Sequence, residues 1–265
     1  MASTRPLARA LLLALTALAA PAGAADLPPG LDGAELLAGP AQADGTRLVA
    51  LHLDLAPGWK TYWRSPGETG VPPVFDWSAA ANMGTATPHW PRPEVIESDG
   101  ERTLGYHDAL VLPIALAPAA PGQPVTGRVA VDFGLCLNIC VPAHVDLVLP
   151  PADAPEDPRV AAALALVPEA GTEPVTCAVT EIADGIRVTA SVAAPAAPGT
   201  AAALELLPGD VWVSQPELGE TAGRLTATSD FVAASGKPFP LDHSALRLTL
   251  VGDGGAVEYQ GCAPA

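Results

Sequence analysis

The sequence predicts an all-β protein made of two β-sandwich domains joined by a short helical linker, and three observations lead to this prediction. Apolar and polar residues alternate along several short segments, which is the period of two expected of half-buried strands. Thirty prolines are spread along the 265 residues, and proline opposes long helices because it lacks a backbone donor and clashes with the preceding turn. Pro and Gly also separate the alternating segments, as they do in sandwiches.

The first group of alternating segments predicts a sandwich domain over residues 25–152. From Leu48 to Leu55 every second residue is apolar, while His52 and Asp54 fall on the opposite side. The same alternation returns in residues 110–116, 129–133 and 145–149. Each run is short and bounded by turn-forming residues, which is typical of sandwich strands.

A helical linker is predicted over residues 153–171. Asp157 can cap a helix that has Pro158 at its first position and runs to Val167, ending before Pro168. The strand pattern resumes after it and predicts a second, smaller sandwich over residues 172–265. Its predicted strands are residues 175–179, 186–192, 211–213, 225–228, 246–250 and 257–259.

Residues 1–24 have the layout of a secretory signal peptide. Arg5 and Arg9 precede an apolar run over residues 10–20 that is too short to span a bilayer, and Ala22 and Ala24 form a small-residue cleavage site. No later segment is long and apolar enough to predict a direct membrane span. We therefore expect the mature protein in the periplasm, where disulfides form and persist.

The charge of the chain argues against two classes of partner. The formal net charge is -16, with only 13 Lys and Arg residues. Binding to nucleic acid or to anionic lipid requires clustered positive charge, which this composition does not supply. Proteins or small ligands are the expected partners.

Cys136 and Cys140 lie between two alternating segments, at the predicted tip of a β-hairpin. Paired positions in an antiparallel ladder have Cα separations of about 4.5 to 5.5 Å, which is within the range of disulfides. Closing so small a loop removes little entropy from the unfolded chain, so stapling alone explains the pair poorly. Two interpretations stay open, a redox-active pair and a local structural disulfide.

Cys177 and Cys262 are placed differently, in the first predicted strand of the second domain and just after its last. A bond between them closes nearly the whole domain. Loops of that length give the largest entropic stabilisation, on the order of 4 kcal/mol. We therefore predict a structural disulfide.

His144 suggests an alternative in which Cys136 and Cys140 are metal ligands, because soft sulfur with imidazole suits Cu(I). The equal spacing of the three residues would align them on a helix. Pro142 and the alternation over residues 145–149 predict a strand instead, in which residues four apart span more than the reach of a metal ion. No established metal, phosphate-loop or dinucleotide motif accompanies them, so we predict no metal and no cofactor.

Three segments in a fixed order carry a resemblance to a known family. They are GWKTYWRSPGETGVPP (58–73), GYHDALVLPI (105–114) and CLNICVP (136–142). Together they resemble the periplasmic N-terminal domain of the DsbD thiol:disulfide interchange family, and the ScsB (suppressor of copper sensitivity) branch in particular, where a Cys-x3-Cys pair precedes Val/Ile-Pro. Three ordered motifs are more specific than any one of them alone.

The resemblance implies an immunoglobulin-like domain that takes electrons from a membrane-embedded thiol donor and reduces disulfides in envelope proteins. In this family the second cysteine attacks the client, which corresponds to Cys140, and the first resolves the intermediate, which corresponds to Cys136. A cap loop shields the pair, and by position it corresponds to Asp99, Gly100, Glu101 and Arg102, leading to Tyr106. The chain lacks the family's transmembrane conduit and thioredoxin-like domain, so the donor is expected to be a separate chain.

The predicted function is therefore periplasmic thiol:disulfide exchange, as a reductase or as an electron relay to a thioredoxin-like or other envelope client. The alternatives are a copper-binding or copper-handling module that uses the same two cysteines, and an accessory β-sandwich with an inert disulfide. His144, Arg64 and Arg102 are candidates for stabilising a thiolate. Five aromatic residues of the first domain are interpreted mainly as core and turn packing, although a client-binding surface is possible: Trp59, Tyr62, Trp63, Trp77 and Trp90.

Overall fold

The computed structural model describes residues 27–41, 46–68, 70–98, 100–194, 199–209 and 211–265. The predicted signal peptide and Asp99 of the predicted cap lie outside these residues. Within them, no helix combines the length and the apolar character that crossing a membrane requires.

The described chain is built almost entirely from strands. Those of the first half are β1 (Leu31–Ala41), β2 (Arg47–Leu55), β3 (Lys60–Tyr62), β4 (Val74–Asp76), β5 (Ala80–Ala81), β6 (Met83–Pro88), β7 (Glu94–Ser98), β8 (Glu101–His107), β9 (Ala109–Pro118), β10 (Thr126–Cys136) and β11 (Cys140–Val148). A helix, α1 (Pro158–Leu164), follows them. Those of the second half are β12 (Glu169–Ala170), β13 (Thr176–Ile182), β14 (Gly185–Val192), β15 (Ala201–Leu206), β16 (Val211–Val213), β17 (Glu217–Thr221), β18 (Arg224–Ala233), β19 (Leu246–Gly252), β20 (Gly255–Gln260) and β21 (Ala263–Pro264).

Strands β1 to β11 form the first sandwich from two sheets. One sheet has the order β1-β2-β9-β6 and the other the order β11-β10-β3-β8-β7, with β4 and β5 also paired to β10. The alternating apolar residues of β2, β9, β10 and β11 point between the sheets, where Leu51, Leu112, Val131 and Leu135 are fully buried. The period of two in the sequence therefore predicted correctly which faces form the core.

Strands β12 to β21 form the second sandwich, whose sheets have the orders β12-β20-β19-β15 and β16-β18-β14-β13-β21, with β17 also paired to β18. Its core contains Val188, Leu204, Phe231 and Leu248. The six segments predicted here are all strands, although β12, β15, β17 and β21 were not predicted, and β12 falls within the predicted linker. The prediction of an all-β, sandwich-type fold is confirmed.

Helix α1 begins as predicted and ends earlier than predicted. The Asp157 side chain caps it by accepting a hydrogen bond from the Arg159 amide. The helix stops at Leu164 rather than at Val167, because the amides of Leu166 and Val167 donate to carbonyls three residues back, at Ala163 and Leu164, and this tighter bonding closes the last turn. Val160 packs on the outer face of the β1–β2 pair, against a small apolar cluster, so the linker helix is docked on the first sandwich.

The two sandwiches contact each other through a mixed apolar and ionic interface. Four small residues of the second sandwich join the main core cluster of the first: Ala201, Ala203, Val251 and Ala256. Between the sandwiches lies a cavity of about 490 Å³ that is lined by residues 64–68 of the first and by β15 and β16 of the second. The segment that follows β3 is thus part of the interface.

Candidate functional site

The most reactive chemistry in the structure lies at the tip of the β10–β11 hairpin. Cys136 and Cys140 are the last residues of this ladder to face each other, and they form a disulfide with a Cα separation of 4.1 Å. Residues 137–139 form the intervening turn. The hairpin-tip position inferred from the sequence is therefore where the structure places the pair.

The two cysteines differ in their exposure to solvent. Cys136 is 2% exposed, whereas Cys140 is exposed. The turn between them displays apolar side chains, because Leu137 is 44% exposed and Ile139 is 78% exposed. An incoming sulfur can approach Cys140, while Cys136 is shielded by the fold.

A tyrosine hydroxyl contacts both sulfurs. The Tyr62 Oη lies 2.8 Å from the Cys136 Sγ and 3.1 Å from the Cys140 Sγ. Because the sulfurs of a disulfide carry no hydrogen, the hydroxyl is the donor in both contacts. The Tyr62 side chain is only 1% exposed, and this burial raises its pKa. Tyr62 therefore remains a protonated donor at neutral pH, a role that its interpretation as a packing residue missed.

The ring of Tyr62 fits its position because two glycines leave room for it. A Cβ added to Gly134 would lie 3.3 Å from two ring carbons, and a Cβ added to Gly70 would lie 2.9 Å from another. The backbone amide of Gly134 donates to the carbonyl of Val71, so the chain after β3 folds back over this face of β10. Tyr62 is thus held between β10 and the returning chain.

A row of residues crosses four strands at the level of the disulfide. In register, Cys140 faces Cys136, Cys136 faces Lys60 on β3, and Lys60 faces His107 on β8. Residues in register across antiparallel strands point to the same face of a sheet, so Lys60 is beside Cys136. Lys60 is only 8% exposed. A cation at this position favours the thiolate form of a neighbouring cysteine.

The predicted cap lies elsewhere. The cysteine row crosses β8 at His107, and Arg102 is five residues further along, about 16 Å away at the rise of a strand. Arg102 donates to the carbonyl of Thr200 and accepts through its own carbonyl from Gln215, both in the second sandwich. A Cβ added to Gly100 would meet no described atom within 4 Å, and the Tyr106 hydroxyl donates to the Pro91 carbonyl in the buried interior. The register of β3 and β8 therefore directs the described cap residues, which include the backbone of Glu101, away from the disulfide.

The other candidates for thiolate stabilisation also lie away from the pair. His144 is on β11, about 13 Å from Cys140 at the rise of a strand, and its Nδ1 is 2.7 Å from Asp132. This hydrogen bond is the main reason why the pKa of His144 is raised. Arg64 contacts Glu205 and Glu258 of the second sandwich. The geometry does not assemble Cys136, Cys140 and His144 into a metal site.

Cys177 and Cys262 form the second disulfide, across 85 residues and with a Cα separation of 5.8 Å. His243 Nδ1 lies 3.4 Å from the Cys262 Sγ. These three side chains form the group of potential metal ligands found in the described part of the chain. Both sulfurs are bonded to each other, so neither offers the thiolate that a metal ion requires. That this bond staples the domain rather than exchanging stays a prediction.

Known proteins are similar to this chain in sequence and in architecture. Residues 33–152 match the sequence model of the family described as thiol:disulfide interchange protein DsbD, N-terminal. The crystal structure of the N-terminal periplasmic domain of ScsB from Proteus mirabilis is similar, with 26% sequence identity and a TM-score of 0.62 over 89% of this chain and 96% of that one. A comparison with curated proteins gives no significant match. The predicted resemblance is confirmed.

Proposed function

On the premise that residues 33–152 form a domain of the DsbD N-terminal type, we propose that the chain is a periplasmic thiol:disulfide exchange protein. It passes electrons from a membrane-embedded thiol donor to a thioredoxin-like or other envelope client. The observation that carries the proposal is the asymmetry of the Cys136–Cys140 disulfide. One sulfur is accessible, and its partner is buried beside a fixed hydrogen-bond donor.

A dithiol donor reduces the Cys136–Cys140 disulfide in two steps. A thiolate of the donor attacks the accessible Cys140 Sγ, the Cys136–Cys140 bond breaks, and Cys136 leaves as a thiolate. The second thiolate of the donor then attacks the donor sulfur of the mixed disulfide and releases Cys140. The donor becomes a disulfide, and the pair has gained two electrons and, after protonation, two protons.

Reduction of the client is the same exchange in the opposite direction. The Cys140 thiolate attacks a client disulfide, one client sulfur leaves as a thiolate, and Cys140 is joined to the other in a mixed disulfide. Cys136 then attacks the Cys140 Sγ, which restores the disulfide and releases the second client thiol. The exposed side chains of Leu137 and Ile139 offer the client an apolar contact beside the reacting sulfur.

The surroundings of Cys136 suit the role of the resolving sulfur. In each direction of the reaction Cys136 carries negative charge in a buried position, which is costly unless the charge is stabilised. The Tyr62 hydroxyl donates to this sulfur, and Lys60 adds a positive charge beside it. A hydrogen bond to a charged group is worth about 1.5 to 3 kcal/mol, so the Tyr62 hydroxyl opposes the cost of burial. A cation in register with Cys136 acts in the same direction.

The proposal is tested by electron transfer to a peptide disulfide. The reduced protein, freed of reductant, is mixed with an oxidised peptide, and free peptide thiols are counted after acid quenching. We expect two peptide thiols for each reduced pair, and none from Cys140→Ala. The double variant Cys177→Ala/Cys262→Ala is the matched control and should still transfer, whereas transfer that survives in Cys140→Ala overturns the proposal.

Among the described residues, the clustered potential metal ligands are Cys177, His243 and Cys262, which gives the copper alternative no third ligand at Cys136 and Cys140. Tyr62 and Lys60 are the polar side chains beside the two sulfurs, and neither a phenol nor an ammonium group is a usual ligand of Cu(I). His144 is bonded to Asp132 further along the strand. The surroundings of the disulfide thus favour exchange over metal storage.

A further inference from the structure

Arg64 links the active hairpin of the first sandwich to the second sandwich. It lies two residues after Tyr62, and its guanidinium makes a two-pronged contact with Glu205, with Nε at 3.0 Å from Oε1 and Nη2 at 3.0 Å from Oε2. Nη2 also donates to Glu258 and contacts Thr249 Oγ1 at 3.4 Å. All three partners lie on β15, β19 and β20.

This ionic contact is sheltered from water. The side chain of Arg64 is 14% exposed and that of Glu205 is 13% exposed. Burial alone would lower the pKa of Arg64, but the charges and hydrogen bonds of Glu205 and Glu258 outweigh it and raise the pKa above its usual value. Arg247 of the second sandwich also lies within 4 Å of both glutamates, but Arg64 is the member of this group that comes from the first sandwich. Its contact therefore opposes separation of the sandwiches at this point.

Trp63 connects the ionic contact of Arg64 to Tyr62. The guanidinium of Arg64 lies over the Trp63 ring, 4.1 Å from its centroid, and Trp63 is fully buried in the core of the first sandwich. The amide of Trp63 donates to the Leu104 carbonyl, and the Leu104 amide donates to the Pro66 carbonyl. Three consecutive side chains are thereby fixed in alternate directions: Tyr62 on the sulfurs, Trp63 in the core and Arg64 on the second sandwich.

We infer that Arg64 is a positioning residue for the Cys136–Cys140 pair, and that the second sandwich, through Glu205 and Glu258, sets the reactivity of this pair by holding the Tyr62 hydroxyl on the sulfurs. The inference rests on the proposed function, because both concern the Cys136–Cys140 disulfide. It assigns to the second sandwich a role in the chemistry of the first. The direct route is the chain from 62 to 64, and the returning chain at Pro66 and Gly70 supports it.

The test is a double-mutant cycle on the full-length protein, with dithiothreitol as the reductant. Arg64→Ala and Tyr62→Phe are made singly and together, and both the rate of reduction and the equilibrium constant for reduction are measured. Tyr62→Phe should lower the equilibrium constant by about tenfold, which corresponds to a shift of about 30 mV toward more negative potential. Arg64→Ala should shift it in the same direction, and should add little when Tyr62 is already Phe.

A matched control uses an arginine with similar contacts in another place. Arg187 makes a two-pronged contact with Asp230 on the exposed face of the second sandwich, at 2.7 and 2.8 Å, and Arg187→Ala should leave the equilibrium constant unchanged. Glu205→Gln/Glu258→Gln should reproduce the effect of Arg64→Ala, because it removes the contact from the other side. Arg64→Lys keeps the charge without the two-pronged geometry and should restore the wild-type value only in part.

Three results would overturn the inference. One is a change in thermal midpoint with no change in the equilibrium constant for reduction, which is what a purely structural contact gives. Another is full additivity of Arg64→Ala and Tyr62→Phe, since the arginine then acts by a route other than the tyrosine. The third is an unchanged constant in Glu205→Gln/Glu258→Gln. Because dithiothreitol takes the place of the donor and no peptide is present, failure here is distinct from failure of transfer to a peptide.

Discussion

The two disulfides of this protein differ in the length of chain that they close and in their place in the fold. Cys177–Cys262 closes a loop across 85 residues and joins β13 to the segment between β20 and β21. Cys136–Cys140 closes four residues at the tip of a hairpin whose strands are already paired in register. Both bonds constrain the unfolded chain, but the long bond removes much more of its conformational entropy than the short bond does.

This difference shows what separates a staple from an exchange site. The chain-entropy contribution is about 4.5 kcal/mol for the long loop and about 2 kcal/mol for the short one. The short bond instead has the features that exchange requires, namely an accessible sulfur at Cys140, a buried partner and a donor at Tyr62. These features identify the Cys136–Cys140 bond as the exchange site.

The largest expected effect is on the free energy of unfolding, which should fall by different amounts when each disulfide is removed. Cys177→Ala/Cys262→Ala should lower the free energy of unfolding of the second sandwich by about 4.5 kcal/mol, whereas Cys136→Ala/Cys140→Ala should lower that of the first by about 2 kcal/mol. Urea unfolding of both double variants, followed by tryptophan fluorescence and circular dichroism, measures the difference. Equal losses would remove the distinction between the two bonds.

The next effect concerns the order in which the bonds open. Cys140 is exposed, whereas Cys177 is 2% exposed, so a small thiol reaches the short bond more readily than the long one. Limited dithiothreitol under native conditions should therefore expose Cys136 and Cys140 to alkylation well before Cys177 and Cys262. Mass spectrometry of the alkylated peptides reads the order directly, and simultaneous labelling of all four cysteines would contradict the assignment of a staple.

A smaller effect sharpens the account of the short bond. Tyr62→Phe keeps the ring but removes the hydroxyl that donates to both sulfurs, so the thiolate state loses about 1.5 kcal/mol and the potential becomes more negative by about 30 mV. Equilibration with a glutathione buffer measures the potential. Tyr106→Phe is the control, because its hydroxyl donates to Pro91 and not to sulfur, and an equal shift in both variants would show that the effect is not local.

The smallest effect belongs to His144. Its folded pKa is raised by Asp132, so its contribution to stability is complete below the unfolded pKa of about 6.5 and is lost as the pH rises through the folded value. His144→Gln should therefore destabilise the protein slightly in mild acid and not in alkali, as thermal midpoints across this pH range can show. The potential of the Cys136–Cys140 pair should not change, and a changed potential would revive the three-ligand alternative.

Much of the fold was predictable because burial imposes a period of two on the strands. The alternation at Val145, Leu147 and Leu149 shows a strand that is buried on one face, and this pattern is visible in the sequence alone. Strands such as β15 were not predicted, because their run of small residues carries no alternation: Ala201, Ala202 and Ala203. Ala201 and Ala203 of β15 pack against the core of the first sandwich, a contact that no local sequence pattern predicts.

The candidate site was predictable only in its cysteines. The spacing of Cys136 and Cys140 and their place between two strands indicate a hairpin disulfide, since both depend on local sequence. Tyr62 comes from a strand 74 residues earlier, and its hydroxyl reaches the sulfurs only because β3 pairs with β10 at this level. The same register moves the expected cap at Arg102 to the other end of the sheet, and no local pattern encodes it.

The division of labour within the pair is the central claim, and a trapping experiment tests it most directly. Cys136→Ala and Cys140→Ala are expressed singly in the native envelope, and covalent adducts are resolved on non-reducing gels and identified by mass spectrometry. The account predicts that Cys136→Ala accumulates a client joined to Cys140, because attack proceeds and resolution cannot. No adduct from Cys136→Ala, or adducts from Cys140→Ala alone, would contradict it.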